Sequence, residues 1–386
     1  MQKSIKLNWI TSIKGLAALI VFVHHFFLFF YPAFCSGSLL NSKTFGAIEV
    51  KIAKTPFNIL GWGGTFAVCI FYLISGFLIA YSFYVKNKGK CNVNDILKRY
   101  LTLMIPMFIS SIIIYIYLKT GAFRSEQLLS KYIRSGFHSY YTNFSCTFLS
   151  IIYDSIFGIF NSASAPINPP LWTMRFELLY SVLSMMVLFL FGKSKKRYII
   201  YFFLIIFNLN TYMLAFTLGI IICDIYYNKK EWVDYINKFS FRVLVLLCAL
   251  YFAGFSYISS STSLYKLLNF ETYIDKNVLF HIIVAALLLI YVLLSDFARK
   301  VLSFKWLQKI GDMSLSIYII HWVIINTLSM YIVTKILPYT RYFVAVLISL
   351  VISTIVVIIL SNIFEKRIRK FTKFINKFIF SKISLS

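Results

Sequence analysis

Three side chains able to carry protons or charge stand in a mostly apolar run near the N-terminus: Lys14, His24 and His25. Lys14 and His25 are eleven positions apart, which in an α-helix is three turns plus about 20°. They therefore share one face, about 16 Å apart along the axis. An imidazole can take a proton from a hydroxyl near neutral pH, and a fixed cation can hold a phosphate. Further on, Pro169-Pro170 leads into Leu171-Trp172-Thr173-Met174-Arg175-Phe176-Glu177. Glu177 falls at the depth of His25 in another apolar run, and a carboxylate can orient an imidazole and stabilise its protonated form. His321, beside Trp322, and Glu365 complete the set. Each also has a plainer reading. Lys14 can snorkel to headgroups, and His25 and His321 can hydrogen-bond neighbouring helices. Glu177 can pair with Arg175 or a lysine, and Glu365 can cap a helix or pair with nearby lysines.

These residues stand inside runs that must be explained first. Of 386 residues, 60% are hydrophobic and only 13% charged, whereas a soluble domain carries roughly a quarter charged residues. Apolar runs recur at 9–31, 65–85, 100–118, 171–191, 197–209, 211–227, 241–259, 278–296, 313–335 and 342–364. Most are long enough for about 30 Å of hydrocarbon. They are continuous rather than alternating, which favours helices over a barrel. The fifth and sixth are short and meet at Asn208-Leu209-Asn210. A further run, 144–160, is short and contains Asp154, and reads as re-entrant or interfacial. The expectation is an all-α polytopic membrane protein with about ten transmembrane helices.

The formal charge of +26 is distributed as a topology signal. Lysines and arginines cluster between runs: Lys86 to Arg99, Lys193 to Arg197, Lys229 to Arg242, Arg299 to Lys309, and the tail from Lys366. With ten spans these clusters fall on one side, which by the positive-inside rule places the N- and C-termini in the cytoplasm. No basic face persists along a soluble helix, so nucleic acid is not an expected partner. The six cysteines show no metal-ligand spacing, and no metal is expected; Cys35 and Cys146 fall on the outer side, where they can pair. The first run is too long for a cleaved signal and reads as a retained helix. Two outer loops, 32–64 and 119–170, stand out by length, and long loops are often functional.

Five blocks then carry a resemblance. Ile13-Lys14-Gly15-Leu16-Ala17-Ala18 precedes His24-His25, and Phe71-Tyr72-Leu73-Ile74-Ser75-Gly76-Phe77-Leu78-Ile79 follows. Leu171-Trp172 leads to Glu177 and Tyr180, Gly311 runs through Ile320 to His321, and Phe364-Glu365-Lys366 closes the series. In order and spacing they resemble the membrane acyltransferase 3 family, bacterial integral-membrane acyltransferases that O-acylate cell-surface glycans. The resemblance implies a multi-pass plasma (inner) membrane enzyme. Its donor would be cytoplasmic acetyl-CoA or another acyl-CoA, with no permanently bound cofactor, and its acceptor a glycan or polysaccharide. It assigns catalysis to His25 and Glu177, CoA binding to Lys14, Lys98 and Arg99, and substrate binding to Ser75, Trp172, Tyr180 and His321. Residues 1–370 would form the acyltransferase domain and 371–386 a basic cytoplasmic tail. Two departures stand out. Lys14 replaces the family's usual arginine, keeping charge but losing the bidentate fork. Thr102 or Leu103 stands where a further basic residue is usual. A general-base and an acyl-histidine mechanism fit the same residues. A polysaccharide or lipid-linked-sugar exporter or flippase, and a scaffold for a polysaccharide synthase, are the competing classes.

Overall fold

A computed structural model describes residues 7–37, 47–55, 58–90, 93–121, 146–158, 167–256, 264–268 and 270–383. Helices dominate these residues, and no strand occurs among them. In chain order they are α1 (Asn8–Phe30), α2 (Ala33–Ser36), α3 (Ala47–Ala53), α4 (Ile59–Tyr81), α5 (Val93–Thr120) and α6 (Phe148–Ile156). Next come α7 (Trp172–Phe191), α8 (Arg197–Phe207), α9 (Met213–Asn228), α10 (Lys230–Ile236), α11 (Phe239–Ala253) and α12 (Lys276–Leu294). The series ends with α13 (Asp296–Leu302), α14 (Lys305–Asp312), α15 (Ser314–Ile324), α16 (Met330–Ile336) and α17 (Tyr342–Ile383).

Each apolar run read from the sequence holds a helix, but the helices differ in reach. Among the described residues, seven are long and apolar enough to cross a membrane: Asn8–Phe30, Gly63–Lys86, Asn94–Thr120, Pro169–Phe191, Lys276–Leu294, Ser314–Tyr339 and Tyr342–Ile375. The pair α10 and α11, bent by 84°, makes an eighth if taken as one span. Helices α8 and α9 have only 11 and 16 residues, or about 16 and 24 Å. The chain is a multi-pass membrane protein. Within the run 144–160 stands α6, whose nine residues cover about 14 Å, too short to cross. Thr147 and Ser150 close a capping box at its start, Ile151 and Ser155 are buried, and Leu149, Tyr153 and Phe157 are exposed. Residues 38–46 and 56–57 of the loop 32–64, most of the loop 119–170, and Cys91 lie outside the described residues. No disulfide joins Cys35 to Cys146.

The chain divides into two compact units. The first comprises residues 1–17, 54–95 and 176–312. Its centre is α4 against α9, which approach backbone to backbone. A β-carbon at Gly76 would collide with the carbonyl of Phe216, and one at Gly219 with that of Leu73. Close approach at small residues is how helices associate where lipid supplies no hydrophobic drive. Gly15, next to Lys14, meets the backbone of Gly311 in the same way. Asp224 on α9 is fully buried and bound by Arg197, with Nε donating to Oδ2 at 2.6 Å and Nη2 to Oδ1 at 3.1 Å.

The second unit comprises residues 18–53, 96–175 and 313–386. Here α15 and α16 pack on α17 through serines: Ser329 and Ser353 hydroxyls lie 2.6 Å apart, and Ser349 donates to the Ser329 carbonyl at 2.9 Å. Ser316 donates to Glu365 Oε2 at 2.7 Å, and Arg369 donates to Oε1 at 2.7 Å. Glu365 thus ties α15 to α17 and pairs with an arginine of its own helix. Between α15 and α16 the chain makes one π-helical turn, Ile325–Ser329, a departure often found beside functional sites. Ile114, Ile151, Ile167, Trp322 and Val323 form an apolar cluster.

Candidate active site

The second unit builds a histidine pair. Helix α1 carries His24 and His25, and α15 carries His321 four residues after Ile317. His25 Nδ1 lies 2.9 Å from His321 Nε2, with ring planes 1° from parallel. His321 Nδ1 lies 3.1 Å from the Ile317 carbonyl oxygen, so one turn of its own helix fixes the ring. Trp322 stands edge-on to His25, 5.5 Å between centroids and 86° between planes. His24 stands 5.3 Å from His25. His321 and Trp322 are buried, whereas His25 is half-buried and retains accessible surface. The pair therefore combines a sheltered ring with a reachable one.

A network holds the neighbouring backbone. Asn168 Nδ2 donates to Ser110 Oγ at 2.6 Å and to the Ile319 carbonyl at 3.1 Å. The Tyr318 hydroxyl donates to the Pro170 carbonyl at 2.8 Å, and the Thr173 hydroxyl does so at 3.1 Å. The turn that launches α7 is thus pinned to the helix that carries His321.

The first unit builds a second polar centre. The Ser75 hydroxyl donates to Glu177 Oε1 in a short hydrogen bond. Gly76 brings this stretch of α4 against α9, and the rings of Tyr72, Tyr180 and Phe216 pack around it: Tyr72 stands 6.1 Å from Tyr180, and Phe216 5.7 Å from Tyr180. Glu177 and Tyr180 are buried, and Ser75 is half-buried.

The remaining expected residues differ in exposure. Lys14 is half-buried, six residues into α1. Lys98 is exposed and Arg99 half-buried on the first turns of α5, and Trp172 is exposed at the start of α7. Of the expected site residues, His25 and His321 meet directly, as do Ser75 and Glu177. His321, expected as a substrate contact, lies fully buried behind His25. The sequence reading passed over Asp224 and His281, although an ionisable residue in an apolar run was the signal for both. His281 on α12 is buried and lies 6.2 Å from the ring of Phe66.

A family model described as an acyltransferase domain, acyltransferase 3, matches residues 7–362. The chain belongs to the acyltransferase 3 family. The match runs from the start of α1 into α17 and takes in both polar centres, so neither is an accretion on an unrelated helical frame. No curated protein and no solved structure matches the chain. As a member of the acyltransferase 3 family, the protein is a membrane acyltransferase, and the structure gives His25 an oriented ring.

Proposed function

We propose that the protein transfers an acyl group, acetyl first among candidates, from cytoplasmic acyl-CoA to a hydroxyl of a cell-surface glycan. It would do so as a multi-pass enzyme of a bacterial plasma membrane. The observation that carries this reading is the His25–His321 contact at 2.9 Å, because a general base must be held where it can act. His25 removes the acceptor hydroxyl proton as the oxygen attacks the thioester carbonyl. The C–O bond forms, the C–S bond breaks, and the departing CoA sulfur receives the proton from His25. Lys14, Lys98 and Arg99 offer cations for the CoA phosphates. The axial distance of about 16 Å from Lys14 to His25 is comparable to a pantetheine arm, so the nucleotide can stay at the surface while the thioester enters. Ser75, Glu177, Trp172 and Tyr180 are assigned to the acceptor side, with Glu177 holding Ser75.

The test uses the full chain in proteoliposomes. Acetyl-CoA supplied at the basic-loop face should release free CoA thiol when a solubilised envelope glycan is present, and the glycan should gain acetyl mass. Release that ignores the glycan, or no release with acetyl-, propionyl- or longer acyl-CoA, rejects the reading in favour of an exporter or scaffold.

A further inference from the structure

We propose that His321 is a positioning residue: it fixes the tautomer of His25 and so selects Nε2 of His25 as the nitrogen that takes the acceptor proton. The inference rests on the acyl-transfer reading and assigns His321 a different role from substrate contact. The Ile317 carbonyl oxygen can only accept a hydrogen bond, so His321 Nδ1, 3.1 Å away, carries a hydrogen. In the neutral ring that leaves a lone pair on His321 Nε2. His25 Nδ1, at 2.9 Å, must then be the donor. The second nitrogen of His25, Nε2, is left as the basic one.

Ring geometry supports a directed bond rather than a face-to-face contact. The planes are 1° from parallel and the centroids 5.1 Å apart. That separation is the nitrogen–nitrogen distance plus two ring radii, so the rings lie in line in nearly one plane. The bond is then close to linear, the favoured geometry. Trp322, edge-on at 5.5 Å, opposes rotation of His25 out of that plane. Among the described residues no carboxylate hydrogen-bonds either imidazole, so the backbone of α15 does what an acidic residue does in a Ser-His-Asp triad: it sets the tautomer at one remove. When His25 takes the hydroxyl proton at Nε2, its Nδ1–H continues to donate to His321. The proton then leaves from the same nitrogen to the CoA sulfur, and His321 itself neither gains nor loses one.

Two variants of the full chain separate positioning from packing and from binding. His321→Phe keeps ring volume but offers no acceptor. His321→Gln offers an amide oxygen to His25 and an amide hydrogen to Ile317. The expected result is kcat at least about 100-fold lower for His321→Phe, within about tenfold of wild type for His321→Gln, and KM for acetyl-CoA and glycan unchanged in both. Raised KM at normal kcat would restore the substrate-contact role and overturn the inference, and so would equal activity of the two variants. Solid-state NMR of wild-type protein labelled with 15N-histidine is independent of mutant folding. His25 should report a protonated Nδ1 and an unprotonated Nε2; the opposite tautomer refutes the inference. A wild type that never transfers acyl groups would fail the parent reading instead, and the NMR result would still stand by itself.

Discussion

His24 and His25 are sequence neighbours but lie about 100° apart around α1, and that angle decides which imidazole can act. His25 points to His321 and Trp322. His25→Ala should therefore abolish glycan-dependent CoA release while insertion and elution volume stay normal, whereas His24→Ala should keep activity within about tenfold. Retention of most activity by His25→Ala would sink the general-base assignment. Thiol chemistry offers a check outside the membrane. Burial pushes the Cys35 thiol up to about 12, so at pH 8 only about one molecule in ten thousand is the reactive thiolate. Burial also raises Cys146, but Lys119 pulls it the other way and it is less enclosed. N-ethylmaleimide at pH 8 should label Cys146 at least about tenfold faster than Cys35, and raising the pH should speed both. If neither reacts until a reductant is added, the two are bridged.

At the scale of helices, the first unit depends on close contacts that cannot relax. The atoms facing Gly76 and Gly219 are backbone, so Gly76→Ala or Gly219→Ala must push α4 away from α9. Overpacking costs roughly 1–3 kcal/mol, and a rigid neighbour puts these at the upper end. Each should lower the thermal midpoint in detergent by several degrees, and Gly76→Ala should also disturb the adjacent Ser75–Glu177 bond and lower activity. Asp224→Ala leaves Arg197 without its bidentate partner at a site where the carboxylate is wholly buried, a loss of about 3–5 kcal/mol. The double change Arg197→Met with Asp224→Leu should recover most of it, as read by the same midpoint. A midpoint unmoved by Asp224→Ala would show that the pair holds nothing together. The positions of these helices were readable because bilayer thickness sets the length of apolar runs. Their pairings were not. His25 and His321 are 296 residues apart, and nothing local in either stretch names the other. Arg197 and Asp224 were within reach, since a carboxylate in an apolar run calls for a partner and an arginine opens the preceding helix. The depth of Glu177 was readable from its place in the run, but its bond to Ser75 was not, because depth does not carry azimuth.

For the whole molecule the decisive quantity is the parity of crossings. Seven crossing helices put the two termini on opposite sides of the membrane. Counting α10 with α11 as an eighth puts them on the same side. Helices α8 and α9 add either two crossings or none, so they leave that parity unchanged. Charge argues for an even count: the clusters at Lys193 to Arg197 and Lys229 to Arg242 fall together whether α8 and α9 both cross or neither does, whereas Lys229 to Arg242 and Arg299 to Lys309 fall together only if α11 crosses as α12 does. Length argues against α8, whose 11 residues reach about 16 Å against about 30 Å of hydrocarbon. For α8 to cross, the bilayer must thin locally, at a cost of fractions of a kcal/mol per Å of mismatch. Two measurements divide the cases. Green fluorescent protein, which matures only in the cytoplasm of bacteria, should fluoresce when fused to either terminus; a dark C-terminal fusion of an inserted protein means that α11 does not cross. A cysteine at Leu209, placed in a variant lacking the native cysteines, should react with a membrane-impermeant maleimide in intact cells. Labelling only after permeabilisation would make α8 and α9 a hairpin that never reaches the outer surface, leaving the basic clusters on either side of it on the same face and lowering the count of spans from ten to eight.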